Sequence, residues 1–242
     1  MELSARAQKL VSEGETFERP TSREEVTRFF ESTTIPPNPV FLDFQEKYAG
    51  RRVSAASMQE RVELSILLDP GDGQYQIAGV DDEGEWIVAI GRFEHSSHLL
   101  MMDEDGIIYA DSIPIADSFE KWLESHAVAN EMLDEQDEWY GTAFMAVHRD
   151  DHKFDKLVDL PAIEEASDSY TKWWGDAGTR IERAVFWDPA NQTHVVRGFA
   201  KDSADLPKLL SYFEKAHGAT PPVIWWPYRI EDGQPAAPDL DA

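Results

Sequence analysis

The chain contains no cysteine. Disulfides, thiol nucleophiles and thiolate metal sites are therefore excluded outright. Positive charge is scarce: 22 Lys and Arg stand against 47 Asp and Glu, a formal net of −25. Contacts to phosphate need Lys and Arg, so this balance argues against nucleic acid and anionic membrane as partners. It favours a basic partner, whose capture a negative field speeds. Solubility or a salty habitat accounts for the same balance without any partner. No run of about 18 apolar residues occurs, which sets aside a helical membrane span. The opening "MELSARAQKLVSEGETFERP" is acidic and lacks an apolar signal core, so the expectation is a cytoplasmic protein. There is no G-x-S-x-G, and "GDGQ" at 71–74 lacks the Lys and the helix of a phosphate loop.

What is present is ample core material. The 242 residues are 42% hydrophobic and include 8 Trp, enough for one large domain or one domain with a substantial extension. Residues 1–20 read as an exposed lead-in, with helical character in "SARAQKLVSEG". In "TSREEVTRFFES", Thr21 or Ser22 can cap a helix, with Glu24 or Glu25 three residues on closing a capping box. Pro36, Pro37 and Pro39 break the chain. Asn38 then caps "VFLDFQEKYAG", where Phe41, Phe44 and Tyr48 form an apolar stripe and Gly50 stops the helix.

The period next changes to two. "VELSILL", "YQIAGV", "WIVAIGRF" and "HLLMM" read as strands, with "DPGDG" and "DDEGE" as turns. "DEDG" at 103–106 folds "HLLMM" back onto "IIYAD". A loop leads to a helix capped at Asp117, with Glu120 three residues later. Ala116, Phe119, Trp122, Leu123, His126, Ala127 and Asn130 mark its inward face. Glu120, Lys121 and Glu124 mark the outward one. Beyond 131, "WYGTAFMAV" reads as a strand and "EEASDSYTKWWGDAG" as a helix ended by glycine. "RIERAVFW" and "THVVRGF" flank a hairpin turn, "DPANQ". "DLPKLLSYFEKAHG" reads as a helix with Leu206, Leu209, Leu210 and Phe213 inward, and "PPVIWWPY" as a last strand. The expected organisation is a lead-in at 1–20, a domain at 21–130, an α/β segment at 131–230 packed on it, and a flexible tail at 231–242. The fold class is α+β, a mostly antiparallel sheet flanked by helices.

Candidate chemistry is sparse. In "HRDDH", His148 and His152 stand four apart and can share a helical face, with Asp150 or Asp151 adding oxygen ligands. The Glu that a zinc-protease motif needs after its first His is replaced by Arg149, and no third ligand is identifiable, so a solvated turn is the expectation. A metal-dependent hydrolase using His148 and His152 is an alternative. "HSSH" at 95–98 reads as a polar turn. The Trp pairs in "KWWGD" and "VIWWPY" read as core or interface anchors. No catalytic residue, metal or cofactor is expected. The acidic clusters are the candidate partner surface: Asp81, Asp82, Glu83 and Glu85; Asp103, Glu104 and Asp105; Glu131, Asp134, Glu135, Asp137 and Glu138. Two clusters on one face would make a patch suited to a cationic protein.

The organisation resembles the SMI1/KNR4 family of the SUKH superfamily. The Ile-Pro-Pro start of a helix carrying "FL" and a later Tyr-x-Gly matches Ile35, Pro36, Pro37, Phe41, Leu42, Tyr48 and Gly50. The later Gly-x-Ile-Tyr strand and Ala-Asp-Ser-Phe helix match Gly106, Ile108, Tyr109, Ala116, Asp117, Ser118, Phe119, Trp122 and Leu123. The resemblance covers roughly residues 20–130 and lacks the family's Trp-Asn-Gly element. It implies an α+β scaffold without catalysis. Many of its bacterial members are immunity proteins that bind and neutralise a toxin of their own cell, often a nuclease or another effector of interbacterial competition, and its fungal members are regulatory interaction proteins. The expected partner is a cognate, basic protein toxin whose active site is occluded. The alternative is a regulatory interaction module.

Overall fold

A computed structural model describes residues 2–16, 22–32, 37–55, 60–66, 78–80, 86–96, 98–134, 139–142, 145–148, 152–185, 193–217, 223–225, 230–231 and 234–235. At 78–80, 133–134, 142, 145–146, 217, 223–225, 230–231 and 234–235 it describes backbone alone. The chain divides into two compact units, Met1–Asn130 and Glu131–Ala242.

The first unit runs α1 (Ala5–Glu13), β1 (Glu15–Thr16), α2 (Arg23–Ser32), α3 (Pro39–Tyr48), β2 (Arg51–Ala55), β3 (Glu60–Leu64), β4 (Ala78–Val80), β5 (Trp86–Phe93), β6 (Leu99–Asp103), β7 (Ile108–Ala110), β8 (Ile113–Ala116) and α4 (Phe119–Asp134). Its sheet is antiparallel in every described pair, in the order β1-β2-β3-β5-β6-β7-β8, with β4 beside β5. Local chemistry sets the helix starts. Ser22 and Glu25 form the reciprocal box: the Glu25 amide donates to Ser22 Oγ at 3.2 Å and the Ser22 amide to Glu25 Oε2 at 2.8 Å. Asn38 Oδ1 accepts the Val40 amide at 2.8 Å, and Pro39 fills the first position of α3.

The core of this unit gathers Val26 and Phe30 of α2 and Phe41 and Phe44 of α3. Val53, Val62, Leu64, Val88, Ile90, Leu100 and Met102 face them from the sheet, and Phe119, Trp122 and Leu123 from α4. Each such side chain contributes about 1.5–3 kcal/mol by burial. Phe44, Tyr48 and Phe119 meet ring to ring, with the Phe44 and Phe119 centroids 4.8 Å apart in an edge-on arrangement.

Four local expectations are corrected here. The lead-in is integral to the unit: Ala7 and Leu10 are buried, and β1 pairs with β2. The segment expected to loop between Asp111 and Asp117 contains strand β8, because Ile113 and Ala116 have a core to enter. α4 opens at Phe119, and Ser118 Oγ accepts the Lys121 amide at 3.2 Å in the N-cap place given to Asp117. Glu124, expected on the solvent face, is fully buried; its two oxygens accept the Ser4 amide and hydroxyl, each at 2.6 Å.

The second unit holds β9 (Tyr140–Thr142), β10 (Met145–His148), α5 (Lys153–Leu157), β11 (Thr171–Gly175), β12 (Thr179–Val185), β13 (Thr193–Ala200), α6 (Leu206–His217), β14 (Val223–Trp225), β15 (Ile230–Glu231) and β16 (Gln234–Pro235). The order β11-β12-β13-β9-β14, with β10 also on β13, is antiparallel in each described pair, so among the described residues no strand pair is a parallel one. The expected single strand at 139–147 is two short ones, both on β13. The expected helix at 164–178 is a 3-10 turn, Glu164–Ala166, followed by strand β11. Asp168 Oδ1 accepts the amides of Tyr170 and Thr171 at 2.8 and 2.7 Å, which turns the chain into β11. Within the expected tail, β15 and β16 pair; residues 236–242 and the "DPGDG", "DDEGE" and "DPANQ" turns lie outside the described residues.

α6 packs Leu206, Leu209, Tyr212 and Phe213 into the core, while Leu210 is half-buried. Gly198 of β13 lies directly beneath: a Cβ there would stand 2.8 Å from Leu209 Cδ1 and 2.9 Å from Phe213 Cε2. Gly198→Val is therefore expected to lower stability by about 1–3 kcal/mol by overpacking. Urea denaturation measures it, and a neutral result would mean that α6 shifts freely.

Candidate partner-binding surface

The acidic residues do not share one fate. Asp103, at the end of β6, is 1% exposed. Its Oδ1 accepts the amides of Asp105 and Ile107 at 3.0 and 2.8 Å, and its Oδ2 accepts the Tyr109 hydroxyl at 2.9 Å. The carboxylate thus staples the turn that Gly106, at φ 91°, completes. Both of its oxygens are engaged within the turn and β7. Glu104 is half-buried; its Oε2 accepts the Trp86 amide at 3.3 Å and its carbonyl accepts Asn38 Nδ2 at 3.0 Å. Asp105 is exposed.

Strand pairing relates the first two clusters. Val80 pairs with Trp86 across β4 and β5, and Ile87 pairs with Asp103 across β5 and β6. The chain therefore leaves β4 and re-enters β5 at the end of the sheet where the 103–106 turn sits. Asp81, Asp82, Glu83 and Glu85 fall between those anchors and lie outside the described residues. The N-terminus of α3 adjoins this end through Asn38, and its partial positive charge favours carboxylates there. Trp86, the first residue of β5, donates its amide to Glu104 and is half-buried, an aromatic of the kind that anchors interfaces. Sequence reading passed over it, although it directly follows "DDEGE".

The third cluster belongs to the second unit. Glu131 is exposed, 4.0 Å from Arg180 Nη2, whose guanidinium lies over the Trp139 ring at 5.7 Å. Asp134 closes α4 with backbone alone described, and Glu135, Asp137 and Glu138 lie outside the described residues.

The metal candidate does not assemble. His148 ends strand β10 and His152 precedes α5, so they do not share a helical face. His152 Nδ1 stands 3.4 Å from the Arg183 guanidinium, a cation where a metal would compete. Asp150 and Asp151 lie outside the described residues. Among the described residues, no three His, Asp or Glu side chains are grouped to hold a metal ion. In "HSSH", His98 Nδ1 lies 2.6 Å from Asp111 Oδ2, and Asp111 Oδ1 accepts the Leu99 amide at 2.9 Å, so this His meets a turn carboxylate. Asp111 itself has φ 54°, a left-handed conformation that Asp tolerates. Trp173 and Trp174 are buried, so between core and interface anchor the first pair is core.

The second unit also buries charge, on residues that sequence reading did not single out. Arg183, 2% exposed, donates to Asp155 Oδ1 at 2.8 Å, and Lys172 donates to Asp155 Oδ2 at 2.8 Å. Glu182, also 2% exposed, accepts from Arg197 Nε at 2.6 Å. Their only sequence signal is the run "RIERAV", a strand with charges at adjacent positions. Among the described residues no helix is long and apolar enough to cross a membrane. The chain matches no protein-family model, no curated protein and no solved structure.

Proposed function

We propose that this chain is a non-catalytic immunity protein of the cytoplasm that binds a basic protein toxin and occludes its active site. The observation that carries the reading is the convergence of the 81–85 anchors and the 103–106 turn on one end of the first sheet, in a chain of net charge −25. The sequence resemblance to SMI1/KNR4 proteins supports it independently. A negative field of this size steers a cationic partner and raises its association rate, most strongly at low salt. Trp86, beside Glu104 and next in sequence after Glu85, supplies the apolar contact that slows dissociation.

The test begins with a pull-down from the native cells, eluting with a salt step, and a rescue assay with whatever basic protein elutes. Asp81→Lys, Asp82→Lys and Asp105→Lys together are expected to slow association about tenfold or more at low salt, with less effect on dissociation. Binding that is indifferent both to salt and to these reversals would remove the steering surface. Binding without rescue would leave the regulatory-module reading in its place.

A further inference from the structure

We infer that residues 4–16 form a strap that opens as one unit and uncovers the outer edge of β2, ahead of any unfolding of the sheet behind it. The strap is clamped at both ends by charge. At its start, both oxygens of the buried Glu124 carboxylate are taken by Ser4, whose hydroxyl also caps α1 through the Ala7 amide at 3.3 Å. At its end, Glu15 meets Arg52 Nη1 at 3.2 Å and Arg61 Nη1 at 2.9 Å.

Between the clamps the attachment is thin. α1 has 9 residues, of which Ala7 and Leu10 are buried. A helix of that length does not persist alone in water. β1 contributes two residue pairs, Glu15 with Arg52 and Thr16 with Arg51. The sheet behind it is tied by longer ladders and by the aromatic core, so its opening needs far more free energy. β1 is the first strand in the sheet order, so its departure leaves β2 as an open edge, which strap closure otherwise keeps from pairing with another chain.

The two clamps differ in kind. The Glu15 pairs are exposed and are screened by salt; the Ser4–Glu124 bonds are buried and are not. Ser4→Ala removes the cap and the hydroxyl bond while leaving Glu124 in place.

Hydrogen exchange on the full chain tests the strap. Amides of residues 5–16 are expected to exchange faster than those of β3, β5 and β6. Ser4→Ala is expected to speed strap exchange by about 10- to 100-fold, with β5 and β6 unchanged. Glu15→Gln, which leaves the buried clamp intact, is expected to give a smaller increase that high salt reproduces in the native chain. If residues 5–16 exchange only in step with β5 and β6, or if Ser4→Ala loosens all three together, the strap is not a separate unit and the inference fails.

Discussion

Arg197→Met is expected to lower the stability of the second unit by about 3–5 kcal/mol, because it strands a buried carboxylate. Glu182 sits on β12 directly opposite Arg197 of β13 on one side and Trp173 of β11 on the other. Trp173 is fully buried. Burial pushes the Glu182 carboxyl above its ordinary value, and the Arg197 guanidinium pulls against that rise. Without Arg197, the carboxyl takes up a proton more readily in the folded state than in the unfolded one. The sign follows: a carboxyl with a raised folded value favours folding more as pH falls from neutral toward its unfolded value of about 4.3. Arg197→Met should therefore regain stability at mildly acid pH.

The companion Glu182→Leu, Arg197→Met replaces the whole pair with apolar side chains and should recover most of the loss, since such exchanges are often neutral or stabilising. Urea denaturation of both single variants and the double variant, at neutral and mildly acid pH, supplies the cycle. A loss below about 1 kcal/mol in Arg197→Met would mean that water reaches Glu182 and that the pair is a surface one.

These buried charges mark where sequence reading ran out. Periodicity and capping chemistry are local, and they were legible: Ser22 with Glu25, Asn38 with Pro39, and the strand of 86–93 stand where the residues put them. "EEASDSYTKWWGDAG" misled because its acidic start and glycine end also suit a helix. Trp173 and Trp174 are instead adjacent on a strand and both buried, one on each face, and the Asp168 turn leads the chain into it. Glu124 reads as a solvent residue, and Glu182 and Arg183 carry little sequence signal, because a charge is normally exposed unless a partner distant in sequence meets it. Those partners, Ser4, Arg197 and Asp155, lie 120, 15 and 28 residues away. The acidic candidates divided for a related reason. Asp103 Oδ1 accepts amides two and four residues on and its Oδ2 accepts the Tyr109 hydroxyl, whereas Asp105 is exposed. Composition counts both alike, and only the backbone path separates a turn staple from a surface charge.

Asp155→Ala should cost the second unit about 3–5 kcal/mol at neutral pH, for the converse reason: it strands a buried cation. Arg183 is 2% exposed, while Lys172, the other cation on Asp155, is 41% exposed and contributes little by itself. Burial alone would raise the Asp155 carboxyl, but the Lys172 hydrogen bond and the Arg183 charge outweigh it and hold the group below its ordinary value. A depressed folded value means that the stabilisation is fully present above the unfolded value, about pH 3.9. It is lost as pH falls through the folded value. The native chain should therefore lose stability steeply below about pH 4, and Asp155→Ala should remove that part of the loss, so that the two thermal-unfolding curves converge as acid is added. His152 Nδ1 at 3.4 Å and the His148 carbonyl at 3.5 Å also face the guanidinium. A variant as stable as the native chain at neutral pH, with an unchanged acid limb, would show that these neutral acceptors suffice and that Asp155 is dispensable to Arg183.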